Sequence, residues 1–230
     1  MGNVIGVDCD PVMIAAAQRR TVEYSVVDVR LGDVHALPVA ASSVDRARAD
    51  RVLQHVDDPA AVIAELRRVT RPGAVVTLAE PDWATLAIDA DDLRTSADFT
   101  RYICAEAVKN SSIGRQLARL AGAVGFTVRS IQPVSPLFSD YADADRILGL
   151  TRSGRRAVAA GLHRRTTSRT LACVAPATAF PGYLHLLHCG GRGPSLTQLP
   201  PVADSRFWPK CSRIRLSRSA GMSLSTAKPV

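Results

Sequence analysis

The feature that most narrows what this chain can fold into is an alternation of short apolar runs with longer segments of helical period. The first run, Val4-Ile5-Gly6-Val7-Asp8, ends on an acid. A short continuous apolar run of this kind reads as a buried parallel strand. Pro11 then opens a helical pattern that reaches Arg20, with Val12, Met13 and Ala16 on one side. A proline is tolerated there because a first-turn N–H has no helical partner anyway. Val22 to Val27 is apolar and rich in β-formers, which predicts a second strand near Ser25 to Val27. Leu31 to Pro38 reads as a loop, since it carries Gly32 and closes on a proline. Val44 to Ala49 predicts a weaker strand, interrupted by Arg46 and Arg48.

Asp58-Pro59 starts the clearest helix, from Pro59 to about Thr70, with Val62, Ile63, Leu66 and Val69 on one face. Arg71-Pro72-Gly73 stops it, and Ala74 to Ala79 is the most regular strand in the chain. A long helical region covers about Asp91 to Val124, broken near Asn110 to Ser112. Gly125 ends it, and Phe126 to Val134 predicts another strand. Asp140 to Leu150 and Gly154 to Ala160 read as helices. Strands alternating with helices at this spacing predict an α/β fold with a doubly wound, Rossmann-like parallel sheet and helices on both faces.

Beyond about Gly161 the pattern dissolves, and composition becomes informative. Residues 162–230 hold ten Lys or Arg against one acid, Asp204, whereas residues 1–161 hold nineteen basic and twenty acidic residues. The formal net charge of +8 therefore belongs to the tail. Half of the fourteen prolines also lie there. Two units are expected: an α/β domain over residues 1–160 and an irregular, basic and disordered tail over 161–230. No run is long and apolar enough for a membrane span. Met1 to Asp8 has no basic start and is interrupted by acids, so a cytoplasmic location is expected. The five cysteines, Cys9, Cys104, Cys173, Cys189 and Cys211, form no C-x-x-C pair, so neither a metal site nor a disulfide framework is indicated.

In a Rossmann-like sheet, an acid at the carboxyl end of the second strand binds ribose hydroxyls, because a carboxylate can accept both hydroxyl protons. Asp8 fits that place. Asp8 and Asp10 also precede a helix, so a turn or capping role is open as well. After Gly6-Val7-Asp8 come Met13 and Ala16-Ala17 on a helix. Then follow Gly32-Asp33, Ala36-Leu37-Pro38, Val44-Asp45 and Val52-Leu53-Gln54-His55-Val56. Asp58-Pro59, Glu65-Leu66-Arg67-Arg68-Val69, Arg71-Pro72-Gly73 and Glu80-Pro81-Asp82-Trp83 complete the series. Taken in order over residues 2–150, this set resembles the type 11 methyltransferases of class I, the group that includes quinone-biosynthesis enzymes.

The resemblance implies S-adenosylmethionine as cofactor and methyl transfer to a small-molecule acceptor, with no specific nucleic acid and no membrane as partner. It implies that Asp8 binds the ribose and that Asp33 accepts from the adenine amino group. Val34 would pack on the adenine face, and Ala49 would line the methionine side. Asp33 can equally be a turn residue after Gly32. The catalytic residues are not identified by the resemblance. His55 is a candidate general base, because an imidazole titrates near neutrality, and it can also simply pack or cap the next turn. Glu80 and Asp82 stand at a strand's carboxyl end, where such folds place their sites. Trp83 can wall a substrate pocket or belong to the core.

The chain also departs from the family. Members begin with a strand and a Gly-x-Gly loop that lets backbone approach the cofactor, whereas this chain begins at the second family strand. Gly2 and Gly6 do not form that loop. The strand so omitted is the central one, which would leave an incomplete sheet whose neighbours have unpaired edges or pair with each other. Residues 162–230 show nothing like the family's last antiparallel strand. Read one nucleotide later, Pro181 to Gly191 permits Leu-Ala-Thr-Phe-Thr-Phe-Phe-Ile-Ala-Ala-Gly, and His163 to Ser168 permits an acidic helix start, which suggests a frameshifted end. The expected function is methyl transfer, impaired by loss of the Gly-rich loop. The alternatives are a non-catalytic methyltransferase remnant and a weak nucleic-acid binder acting through the basic tail.

Overall fold

A computed structural model describes residues 2–90 and 92–162, together with the segments 178–179, 182–188 and 213–218. Strand β1 (Asn3–Asp8) pairs in parallel with β2 (Val27–Leu31), from Val4 opposite Val27 to Asp8 opposite Leu31. Helix α1 (Pro11–Thr21) joins them, capped by Asp10, whose side chain accepts from the Val12 N–H at 2.8 Å. The second strand was expected near Ser25 to Val27 and instead starts at Val27. The helix runs on to Thr21, and a turn bond from Tyr24 N–H to the Thr21 carbonyl leaves Val22 and Tyr24 exposed. β2 is an edge strand, with Asp28 and Arg30 ion-paired at 2.6 Å along it.

The second parallel pair is β3 (Val44–Asp50) and β4 (Thr70–Pro81), joined by α2 (Pro59–Val69). Asp58 caps α2 by accepting from Ala61 N–H at 3.0 Å. Val62, Ile63, Leu66 and Val69 are fully buried. Each such side chain contributes roughly 1.5–3 kcal/mol on leaving water, so this face fixes α2 to the sheet. The crossover from β1 to β2 and that from β3 to β4 run in opposite directions across the sheet. With one hand for both, α1 lies on one face and α2 on the other. Helix α4 (Ile113–Ala123) packs beside α2 and shares its core through Ile113, Leu117 and Ala121.

Three further strands complete the main sheet: β6 (Thr127–Val134), β9 (Gly182–His188) and β10 (Arg213–Arg218). The order is β2-β1-β10-β3-β4-β9-β6. β10 runs antiparallel to both β1 and β3 and fills the place between them. The expectation that β1 and β3 would have unpaired edges, or pair with each other, is therefore corrected. Arg-Ile-Arg-Leu-Ser-Arg alternates with the period of a strand. That period puts Ile214 and Leu216, both fully buried, into the core cluster with Ile5, Val7 and Ala49. Its backbone meets N–H and C=O groups that β1 and β3 would otherwise leave unpaired.

β9 lies antiparallel between β4 and β6. The reading that nothing beyond residue 162 resembles a closing antiparallel strand is corrected by it. The segment as it stands, Gly-Tyr-Leu-His-Leu-Leu-His, has enough strand-forming character for the place. The remainder of the tail, including the expected disorder, falls outside the described residues.

A second apolar cluster stands beside the main core. It is built from α3 (Leu93–Tyr102), a π-type turn (Ile103–Ala107), α5 (Tyr141–Leu148) and α6 (Leu150–Ala159), with Trp83, Phe99, Ile103 and Leu150 among its buried members. Gly149, at φ 68, separates α5 from α6 in a conformation that favours glycine. A small three-stranded sheet, β5 (Ala87–Ile88), β8 (Thr178–Ala179) and β7 (Leu137–Phe138), adjoins it. Among the described residues no helix is long and apolar enough to cross a membrane.

Candidate functional site

The parallel strands end along one edge, at Asp8, Leu31, Asp50 and Pro81. Asp8 and the loop after β2 are joined there by their backbones, since Gly32 N–H donates to the Asp8 carbonyl at 3.0 Å. The Asp8 side chain is buried, and its Oδ1 accepts from Asp10 N–H at 2.9 Å. That is the turn geometry its position allowed. Gly32 has no room for a side chain. A Cβ there would stand 2.9 Å from Pro38 Cδ and 3.1 Å from Val7 Cγ1.

Asp33 comes next and stays exposed. Its Oδ1 accepts from His35 N–H at 2.9 Å and lies 2.8 Å from His35 Nδ1. The backbone N–H, then the ring, hold its pKa below the ordinary carboxylate value. Val34 is buried beside it. The loop is fastened from below by α2. Glu65 accepts from Leu37 N–H at 2.7 Å, and Arg68 reaches from Glu65 to the carbonyls of Leu37 and Val39. The structure thus brings Asp8, Asp33 and Val34 to one edge. Ala49 is fully buried in β3, opposite Ile214, and is part of the core under that edge.

The turn after β3 carries the remaining candidates. Arg51 adopts a left-handed backbone, φ 55, and its N–H donates to the Ala79 carbonyl at 2.9 Å. The chain then folds over Glu80. Val52 N–H and Leu53 N–H both donate to Glu80 Oε1 at 2.7 Å, and Gln54 N–H approaches Oε2 at 3.4 Å. Glu80 is buried, which pushes its pKa up to about 8 although the three N–H groups pull it down; the nearby Asp50 charge adds to the rise. Gln54 Oε1 accepts from Trp83 Nε1 at 2.7 Å. Asn110 donates to the carbonyls of Leu53 and Val56, both at 2.8 Å.

His55 sits on this turn and keeps contact with solvent. Its pKa is lowered, first by partial burial and then by the positive charges of Arg152 and Arg51. Asp82, fully buried, is held by two of the guanidinium nitrogens of Arg115. A cavity of 340 Å³ opens at the first turns of α2 and α4, lined by Asp58, Asn110, Ser112 and Gln116 among others. Among the described residues no cluster of His, Cys, Asp or Glu could hold a metal ion.

Glu80, Asp82 and Trp83 were placed at a strand end by the sequence. Their partners Gln54, Asn110 and Arg115 were not. An acid inside the most apolar strand end is a legible sign of a buried partner, but nothing local to Arg115, thirty-three residues away, identifies it as that partner.

Comparison with known proteins fits this geometry. Residues 1–78 match the family described as methyltransferase domain. A 37.1 kDa protein of transposon TN4556 from Streptomyces fradiae is 50% identical over 160 residues, covering 70% of this chain and 46% of that protein. The arsenite methyltransferase of Halobacterium salinarum is 31% identical over 153 residues, 64% of this chain and 37% of that enzyme. The chain thus spans less than half the length of these curated relatives. Among solved structures, the YcgJ protein of Bacillus subtilis superposes with a TM-score of 0.55 at 15% identity, covering 82% of each chain. A phosphoethanolamine N-methyltransferase of Haemonchus contortus, solved with S-adenosyl-L-methionine, superposes at 0.50 and 15% identity, over 81% of this chain and 43% of that one. The last two likenesses concern the fold.

Proposed function

We propose, for a chain that carries a class I methyltransferase domain, that it transfers a methyl group from S-adenosylmethionine to a small-molecule acceptor. The observation that carries this reading is the backbone bond from Gly32 N–H to the Asp8 carbonyl, which joins Asp8 and the loop that bears Asp33 at the ends of adjacent parallel strands. Ligands of open α/β sheets bind outside the carboxyl ends of the strands. The acceptor set fits a nucleoside. Asp33 is an exposed, ionised acceptor beside the apolar Val34, and Asp8 stands one strand away. Asp8 would hold the ribose and Asp33 the adenine amino group. When bound, S-adenosylmethionine supplies an electrophilic methyl group.

The chain's own residues would receive the acceptor's proton and orient the acceptor. His55 is depressed below its ordinary pKa and is therefore neutral near pH 7. It can take a proton at a ring nitrogen from an acceptor hydroxyl, thiol, amine or acidic carbon. The turn that bears it is fixed by Glu80, Gln54 and Asn110, and positioning of that kind supplies much of the rate in transfer reactions.

A second reading, a methyltransferase fold without catalysis, draws on one observation. The strand between β1 and β3 is antiparallel, so no parallel strand ends there on the site edge. Calorimetric titration with S-adenosylmethionine separates the two readings. The catalytic reading expects saturable binding that Asp8→Asn weakens. The non-catalytic reading expects no binding heat.

A further inference from the structure

We propose that Glu80 is a positioning residue, whose buried carboxyl gathers the backbone of Val52 to Gln54 and thereby sets where His55 stands at the carboxyl edge. This rests on the reading of that edge as the methyl-acceptor side. Oε1 of Glu80 takes two successive N–H groups, from Val52 and Leu53, each at 2.7 Å. Arg51, held in the left-handed region at φ 55, turns the chain from the Ala79 carbonyl, which its own N–H meets, onto Glu80, in a conformation unfavourable for a residue with a side chain. Such backbone persists where its surroundings over-determine it. Here they do: β4 holds Arg51 N–H through the Ala79 carbonyl and the next two amides through Glu80. Asn110 holds the carbonyls of Leu53 and Val56. His55 lies inside this clamp, and its own N–H closes a turn on the Val52 carbonyl at 3.0 Å.

A carboxyl group buried in an apolar core is costly unless its hydrogen bonds are made. Glu80 makes them with backbone that leads directly from β3 to His55, so its removal is felt first at the edge and not in the core. The test compares Glu80→Gln, which keeps an acceptor oxygen, with Glu80→Leu, which keeps the volume and removes both acceptors. Amide exchange of Val52 and Leu53 and the NMR titration of His55 are read on each full-length variant. In Glu80→Leu the two amides are expected to exchange roughly tenfold faster or more, as lost hydrogen bonds to a buried acceptor imply. The His55 midpoint is expected to move up toward 6.5. Glu80→Gln is expected to keep both near wild type.

Unchanged exchange and an unchanged midpoint in a folded Glu80→Leu protein overturn the proposal. If Glu80→Leu does not fold, Glu80→Gln decides alone. Kept protection supports the proposal, and lost protection in a folded Glu80→Gln protein overturns it. Titration of the wild-type protein with S-adenosylhomocysteine is run alongside. Its failure would count against the methyltransferase reading and leave the result on the turn standing.

Discussion

Arg115 grips Asp82 with two guanidinium nitrogens, and Asp82 has no exposed surface while Arg115 is half exposed. The pair ties α4 to the segment that leaves β4, which is the junction between the main core and the second apolar cluster. A buried carboxylate left without its partner costs more than the pair contributes. Arg115→Leu should therefore lower stability by about 2–3 kcal/mol, at the low end for buried pairs because water can reach the Arg115 side. Asp82→Asn combined with Arg115→Leu should recover part of the loss. Urea unfolding of wild type and the two variants checks this, and an equal loss in the single and double variants would show that the charge is not what Arg115 serves.

Glu80 makes stability depend on pH in a stated direction. Its folded pKa, about 8, lies above the ordinary 4.5. A raised pKa means that the contribution is complete below about pH 4.5 and is lost as pH rises toward 8, because the unfolded chain gains from ionising first. The slope in that window is at most about 1.4 kcal/mol per pH unit. Glu80→Gln cannot ionise. The stability of wild type minus that of Glu80→Gln should fall from pH 4.5 to 8 and level off above. A difference that is flat across this range would contradict the raised pKa.

β10 fills the middle of the sheet with two apolar side chains. Leu216→Ala should destabilise the protein by roughly 2–5 kcal/mol, the usual range for a buried leucine, and Ile214→Asp should be worse. Thermal melts read both. A melting temperature unmoved by Leu216→Ala would mean that another segment takes the place between β1 and β3.

His55 should titrate below 6.5 by NMR. Removing a positive charge beside it with Arg152→Gln should raise the midpoint, since a nearby cation disfavours the imidazolium. No upward movement would place Arg152 away from the turn.

The repeating elements were legible because burial enforces a period. Val62, Ile63, Leu66 and Val69 mark one helical face, and all four are fully buried. Ala74 to Ala79 lies inside β4 as read. The second strand was displaced because Val22 and Tyr24 look like strand residues but cap a helix and turn in solvent. β10 shows a period of two in Arg213 to Arg218, yet it is short and flanked by Arg and Ser, and its place depends on pairing with residues some two hundred positions earlier. The place of Asp8 at the sheet edge was legible from its position after an apolar run, and that of Asp33 only through the resemblance to a family. The network of Glu80, Gln54, Trp83 and Asn110 was not, because hydrogen bonds between distant segments leave no local pattern.

Gly32 offers a check on the edge itself. Gly32→Ala places a methyl group 2.9 Å from Pro38 Cδ, so the loop that carries Asp33 and Val34 must shift. Affinity for S-adenosylhomocysteine should drop by roughly tenfold, and stability should change by only about 1 kcal/mol if the loop absorbs the movement. Unchanged affinity would separate this loop from the cofactor.

The most direct test of the account is calorimetric titration of the full chain with S-adenosylmethionine, wild type against Asp8→Asn and Asp33→Asn. Asp8→Asn keeps an oxygen for the Asp10 N–H, so the turn survives while the charge is removed. Saturable binding by wild type is expected, with a loss of about ten- to a hundredfold in each variant, the effect of a hydrogen bond to a charged group. Binding of equal strength in all three proteins, or none in wild type, would contradict it.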